Sequence, residues 1–138
     1  MNNISFEIVP ADQLETVFGE VVVQQWEEVD ERRKTSDLNV QWDTYRQAVT
    51  VGSCAWIAAW DKDQDVLLGY ISLLLCPSLH TGELTMLTDT IYVLPNGRGQ
   101  GVGKKLLERA EELGRQIGVK HFMTTFKNSV SHNHLVEA

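Results

Sequence analysis

Apolar residues recur along the chain with two periods, and the places where one gives way to the other mark the predicted elements. Ile4, Phe6 and Ile8 alternate with polar neighbours up to Pro10, the period of a half-buried strand. Beyond Pro10, residues Leu14, Phe18, Val21, Val22, Gln25 and Val29 fall near one helical face. That predicts a long amphipathic helix running toward Arg33, with Asp12 and Glu15 at capping-box spacing. Trp42, Tyr45 and Val49 repeat at helical spacing behind the cap candidates Asp37 and Asn39, so a shorter second helix follows, and Gly52 ends it. Cys54 to Trp60 and Leu67 to Leu75 read as an antiparallel hairpin about the turn-forming run Asp61-Lys62-Asp63-Gln64-Asp65.

The next strand, Glu83 to Leu94, changes its apolar parity between Leu84/Met86 and Ile91/Val93. A β-bulge near Thr88-Asp89 would re-aim every later side chain; burial of both faces is the competing explanation. Val102, Leu106, Ala110, Leu113 and Ile117 then mark one face of a helix that Gly118 ends, and Lys120 to Phe126 reads as a further strand. Strand, loop, helix and strand from Thr88 to Phe126 form a βαβ unit with a parallel, right-handed connection. The chain is thus predicted to be α/β, with residues 1–138 in one domain.

Composition removes whole classes of function. With 12 Lys plus Arg against 19 Asp plus Glu, the net charge is -7, so the averaged field repels nucleic acid and anionic membrane and tilts slightly toward a cationic partner. Cys54 and Cys76 stand apart in apolar surroundings without a C-x-x-C partner, which suggests buried reduced thiols rather than a zinc site or disulfide framework. No metal site is expected. The N-terminus has no basic region followed by an apolar stretch, and nowhere do about 18 uninterrupted apolar residues occur, so a cytoplasmic location is expected.

Chemistry concentrates in the segment T-D-T-I-Y-V-L-P-N-G-R-G-Q-G-V-G-K-K-L-L, where glycines 97, 99, 101 and 103 lie between a strand and the first turn of a helix. Glycine lets a backbone approach a ligand closely, and the free N–H groups and positive dipole of a helix start attract phosphate. A dinucleotide G-x-G-x-x-G fails because Val102 and Lys104 occupy the required glycine positions. A P-loop fails at Arg98 and Lys105.

The remaining pattern, Arg98-x-x-Gly101-x-Gly103, resembles the [QR]-x-x-G-x-[GA] signature of GNAT-type N-acetyltransferases. The resemblance covers nearly the whole chain and is tightest from Thr88 to Gly118. It implies a mixed, centrally splayed sheet flanked by helices in the order β-α-α-β-β-β-α-β-α, with acetyl-CoA as the cofactor. Ile91, Tyr92 and Val93 would border the pantetheine, with Ile91 and Val93 offering their backbones. The amides of Arg98, Gly99, Gln100, Gly101, Val102, Gly103 and Lys104 would hold the pyrophosphate. The family's last two strands have no counterpart before Ala138, so the domain is expected to be C-terminally incomplete, its last hairpin missing. Either the gene product is truncated, or a second copy covers the exposed edge as a homodimer. His80 and the run Asp37 to Trp42 look like those of small phage- or prophage-encoded members.

By the same resemblance the reaction is direct attack of an amine on the thioester in a ternary complex. A base must take a proton from the amine, and Asp89 and Glu83 are the candidates, each weighed evenly against a solvated or structural carboxylate. The family's L-Y-E stretch reads Leu135-Val136-Glu137 here; Val136 cannot protonate the leaving thiolate, which leaves His132, His134 or water. Ser129 stands where an Asn commonly faces the cofactor. Trp26, Trp42 and Tyr45 would help wall the acceptor pocket, although aromatics at such spacing are more often core. The acceptor is expected to be a primary amine on a small molecule or a protein lysine or N-terminus. Two rival readings stand beside this one: a catalytically weak or inactive acyl-CoA-binding or protein-interaction module, and a nucleotide or phosphate-sugar binder using the same loop.

Overall fold

The computed structural model describes residues 3–28 and 37–124. Five strands, β1 (Ile4–Ile8), β2 (Cys54–Asp61), β3 (Val66–Pro77), β4 (Leu84–Val93) and β5 (His121–Met123), form one sheet in sequence order. All neighbours pair antiparallel except β4 and β5, which run parallel through the crossover helix α3 (Val102–Ile117). Helices α1 (Leu14–Glu27) and α2 (Trp42–Thr50) precede the hairpin. The longest strand is β3.

The sheet is covered on both faces, which is why β2 and β3 read as apolar runs with little alternation. One core joins Ile57, Ala59, Leu68, Ile71, Leu73 and Met86 of the sheet to Val102, Leu106 and Ala110 of α3. The other joins Cys54, Trp56, Ala58, Tyr70 and Tyr92 to Leu14 and Phe18, with Trp42 and Tyr45 of α2 packed against it. Trp56 is the hub of this second core, stacked on Tyr70 at 5.1 Å and met edge-on by Tyr45 at 5.0 Å.

The parity change in β4 has a local cause. Its register against β3 passes from Ser72↔Thr90 to Leu73↔Thr88, so Asp89 is the extra residue of a bulge. Met86 before it and Ile91 and Val93 after it therefore all reach the α3 side. Tyr92 falls on the α1–α2 side. A second register shift in the β2–β3 pair makes Leu68 the extra residue on β3.

Several local expectations are corrected. Asp12 lies in a short 3-10 turn, Ala11–Gln13, and α1 starts behind Gln13 with no side-chain cap. Asp37 and Asn39 do not cap α2 either, whose N-cap is Gln41. Ile117 is exposed, and Gly114 takes its place on the inner face of α3. An ideal Cβ at Gly114 would lie 2.8 Å from Val119 Cγ2, so the glycine permits a close approach that apolar periodicity does not register. Gly118 ends α3 in the left-handed conformation, as predicted, and Val119 donates its amide to the Gly114 carbonyl at 2.9 Å. Whatever part of the first helix lies beyond Glu28, and of the fifth strand beyond Thr124, falls outside the described residues.

Candidate functional site

Two features converge at the C-terminal end of β4. The first is a strand edge unpaired among the described residues. Leu94 donates its amide to the Leu68 carbonyl of β3 at 2.8 Å, so alternation turns the polar backbone groups of Tyr92 toward β3 and those of Ile91 and Val93 the other way. On that other edge, the pairing with β5 runs among the described residues from Thr85↔His121 to Leu87↔Met123. No strand among the described residues pairs with the outward-facing backbones of Ile91 and Val93, whereas the backbone of Tyr92, expected beside them, faces β3. Its side chain instead donates a hydroxyl hydrogen bond to Glu28 at the end of α1.

The second feature is the loop that follows. Pro95–Gly97 forms a 3-10 turn, with Gly97 so close to Leu68 that an ideal Cβ would meet its carbonyl oxygen at 2.7 Å. Gly99 and Gly101 both have positive φ, 81° and 76°, with open space where a Cβ would stand. Gly101 is the N-cap of α3, and the first helical bond is donated by the Lys105 amide to the Gly101 carbonyl at 3.1 Å. The amides of Val102, Gly103 and Lys104 therefore have no intrahelical acceptor. An ideal Cβ on Gly103 meets only Val93 Cγ2, at an ordinary 3.5 Å. That contact explains why a motif position of this kind admits alanine, whereas Gly101 needs glycine for its backbone angle.

Arg98 departs from the expected role. Its amide is directed to the Pro95 carbonyl at 3.3 Å and so is engaged within the loop itself. Its side chain donates to the Val93 carbonyl at 3.0 Å and forms an ion pair with Glu28 at 2.9 Å, above the Tyr92 ring. The hydrogen bonds from Tyr92 and then Arg98 hold the Glu28 carboxyl below its ordinary 4.5. Burial first and then the Glu28 carboxylate raise the Tyr92 phenol.

Asp89, the bulged residue, turns toward α2. Its Oδ2 accepts hydrogen bonds from the Tyr45 hydroxyl at 2.8 Å and the Ser72 hydroxyl at 2.9 Å. Burial, followed by the bond to Asp89, raises the Tyr45 phenol above the ordinary tyrosine range. Burial raises the Cys54 thiol to about 11, with the charge of Asp89 adding to it. Glu83 lies six residues back along β4, roughly 20 Å at strand rise. It is exposed and reaches His121 at 3.5 Å, away from the bulge and the loop. His80 is exposed in the β3–β4 loop, where its amide bonds to the Ser78 hydroxyl. Of the two carboxylates weighed as base, only Asp89 is brought beside the edge of β4 that is unpaired among the described residues. His132, His134 and Ser129 lie outside the described residues.

The sequence reading missed Ser72 and Glu28, and placed Tyr45 only as a wall. Ser72 had a signal, as the one small polar side chain within the apolar run Leu-Gly-Tyr-Ile-Ser-Leu-Leu-Leu. Glu28, one of several acidic residues on α1 and its end, had none.

A strand edge unpaired among the described residues, beside a glycine-rich helix start without a side-chain cap and with a carboxylate at the bulge, can hold an extended amide-bearing arm ending in a diphosphate. No helix among the described residues is long and apolar enough to cross a membrane, and no cluster of metal-ligating side chains occurs among them. No curated protein sequence matches the chain. Solved structures do. An aminoglycoside acetyltransferase from an uncultured soil metagenomic sample, in complex with sisomicin, aligns at TM-score 0.72 and 12% identity over 96% of this chain and 82% of that one. Ribosomal-protein-alanine N-acetyltransferase from Brucella melitensis biovar Abortus 2308 aligns at 0.71 and 15% identity over 98% and 89%. Glucosamine-6-phosphate N-acetyltransferase from Arabidopsis thaliana aligns at 0.71 and 12% identity over 98% and 89%. The acetyltransferase (GNAT) family model matches residues 19–136, and with that match spanning most of the sequence the chain belongs to the GNAT acetyltransferase family.

Proposed function

We propose that the protein transfers an acetyl group from acetyl-CoA to a primary amine by direct attack in a ternary complex. The observation that carries this reading is the bulge at Asp89, which leaves Ile91 and Val93 with outward-facing backbone groups beside the α3 start. The cradle fits acetyl-CoA in shape and charge. Gly99 and Gly101 leave open space at positive φ, the first-turn amides of α3 are available to a diphosphate, and Lys104 and Lys105 are exposed in that turn. Acetyl-CoA supplies the activated acetyl carbon and a thiol leaving group.

The chain's own residues have three tasks. Ile91 offers its amide and carbonyl, and Val93 its amide, its carbonyl already accepting from Arg98, to hold the pantetheine amides as an added strand would. The amides from Gly99 to Lys104 bind the pyrophosphate. Asp89 receives a proton from the acceptor ammonium, directly or through a water, which frees the nitrogen lone pair. The C–N bond then forms, the C–S bond breaks with its electron pair going to sulfur, and the amine's second departing proton balances the thiolate. The structural neighbours named as aminoglycoside and glucosamine-6-phosphate acetyltransferases make amines the acceptor class to test first, with protein lysines and N-termini beside them.

The experiment is turnover of acetyl-CoA with a panel of amines, small and protein-borne, followed by free-thiol release and by mass of the acetylated product. Saturable acetylation is expected, with Asp89→Asn slower by about 10²–10⁴-fold, the usual worth of a positioned base. Tight CoA binding without any acetylated amine would favour a non-catalytic acyl-CoA-binding module instead.

A further inference from the structure

Asp89 is half-buried, and both hydrogen bonds it receives come from uncharged hydroxyls: Tyr45 on α2 at 2.8 Å and Ser72 on β3 at 2.9 Å. Both converge on Oδ2. Among the described residues no Lys, Arg or His forms an ion pair with Asp89, and none donates to Oδ1. Asp89 thus has no cationic partner of the protein's own among the described residues. Two fixed donors on one oxygen also remove the freedom of the side chain to rotate, so the other oxygen has a set direction.

The two donors are themselves held. Ser72 is fully buried, cross-strand from Trp56. The Tyr45 ring stands edge-on to Trp56 at 5.0 Å and 6.2 Å from the Trp42 ring.

We infer that Tyr45 and Ser72 are positioning residues that fix Asp89 through Oδ2 and leave Oδ1 as the seat of the acceptor's ammonium group, which makes the acceptor an aliphatic amine that arrives protonated. The inference rests on the reading of Asp89 as the proton acceptor in acetyl transfer. An aromatic amine, neutral at pH 7, would bring no cation to Oδ1 and is a poor acceptor on this account.

The test uses the full chain with spermidine and n-butylamine as aliphatic probes and aniline as the neutral one, in Tyr45→Phe, Ser72→Ala, the double variant and Asp89→Asn. Tyr45→Phe is expected to lower kcat by about tenfold and Ser72→Ala by about threefold, the worth of one hydrogen bond to a charged group or less. CoA affinity by titration calorimetry and the KM for acetyl-CoA should stay within about twofold of wild type in both, since neither residue touches the cofactor cradle. Turnover of aniline should be far below that of n-butylamine. A spectroscopic readout needs no acceptor: a slowly exchanging phenolic proton in the low-field NMR spectrum, identified by its loss in Tyr45→Phe, should also vanish or move in Asp89→Asn. Wild-type kcat in the double variant, with Asp89→Asn inactive, would overturn the positioning role and leave the acetyltransfer reading standing. Full activity in Asp89→Asn would overturn that reading itself. Loss of CoA binding in Tyr45→Phe, or a phenolic proton indifferent to Asp89→Asn, would also overturn the inference.

Discussion

Replacing Gly101 by glutamate separates the architecture of the loop from its charge preference. Gly101 caps α3 at φ 76° and ψ 18°. That conformation costs an L residue about 1–2 kcal/mol. An ideal Cβ there meets nothing within 4 Å, so no steric penalty is added. The fold should survive, because the strain is small against the roughly 5–15 kcal/mol that stabilises an ordinary domain. Ligand binding should not. A carboxylate placed about 5 Å from a diphosphate carrying about two charges, at an effective dielectric of about 40, is repelled by about 3 kcal/mol. That is about two orders of magnitude in Kd. Gly101→Ala carries the strain without the charge, and its Kd should rise by less than about tenfold. Titration calorimetry with CoA, run beside thermal unfolding, checks both variants. Raising the salt to about 0.5 M should recover part of the loss in Gly101→Glu and little in Gly101→Ala, because screening acts on the charge alone. Wild-type CoA affinity in a folded Gly101→Glu protein would refute the placement of the diphosphate on this loop.

Three further outcomes are expected. Gly97→Ala puts a Cβ 2.7 Å from the Leu68 carbonyl oxygen and 3.0 Å from its Cβ, atoms held by the β3–β4 pairing, so urea unfolding should register about 1–3 kcal/mol of destabilisation from overpacking. Glu28→Gln frees Arg98 from its ion pair, and CoA affinity should rise by about twofold to fivefold, the scale of an exposed pair. Because the Glu28 carboxyl is lowered below its ordinary 4.5, the pair's contribution is fully present above that value and fades only as pH falls through the lowered one. The variant's advantage should therefore persist at neutral pH and shrink in acid. In an Ellman assay at pH 8, exposed Cys76 should react quickly, while Cys54, buried and raised to about 11, should react only on unfolding. Two fast thiols in the native protein would contradict its burial.

What the site asks of its parts explains why they share one strand. A strand edge can bind an extended arm only where no neighbouring strand occupies it, and among the described residues β5 pairs with β4 only up to Leu87, before the bulge at Asp89. The same extra residue turns Asp89 toward α2 and returns Ile91 and Val93 to the α3 side. Aiming the carboxylate and re-aiming the later side chains of β4 are thus one structural event. The sign of the surroundings fits as well, since the chain's formal charge is -7 while its exposed Lys104 and Lys105 stand at the anion-facing helix start.

Much of this was legible in the residues themselves. Period-two and period-3.6 spacing set the type and order of the described elements, and the parity conflict between Met86 and Ile91 placed the bulge within one residue. Gly101 and Gly118 announced the two ends of α3 because their conformations are local demands on the backbone. Contacts between elements were not legible. Tyr45 meets Asp89 across 44 residues of sequence, and Glu28 reaches Arg98 across 70. Helical spacing fixed the face on which Tyr45 lies, but not the strand residue that face would meet. Gly114 likewise looked like an ordinary glycine, and Gly97 like one more glycine of the phosphate loop, until packing brought Val119 and Leu68 against them. Periodicity and turn chemistry are properties of neighbouring residues and survive in the unfolded chain's preferences. Which hydroxyl donates to which carboxylate exists only once the two sides of the sheet have been packed, so it belongs to the tertiary structure alone.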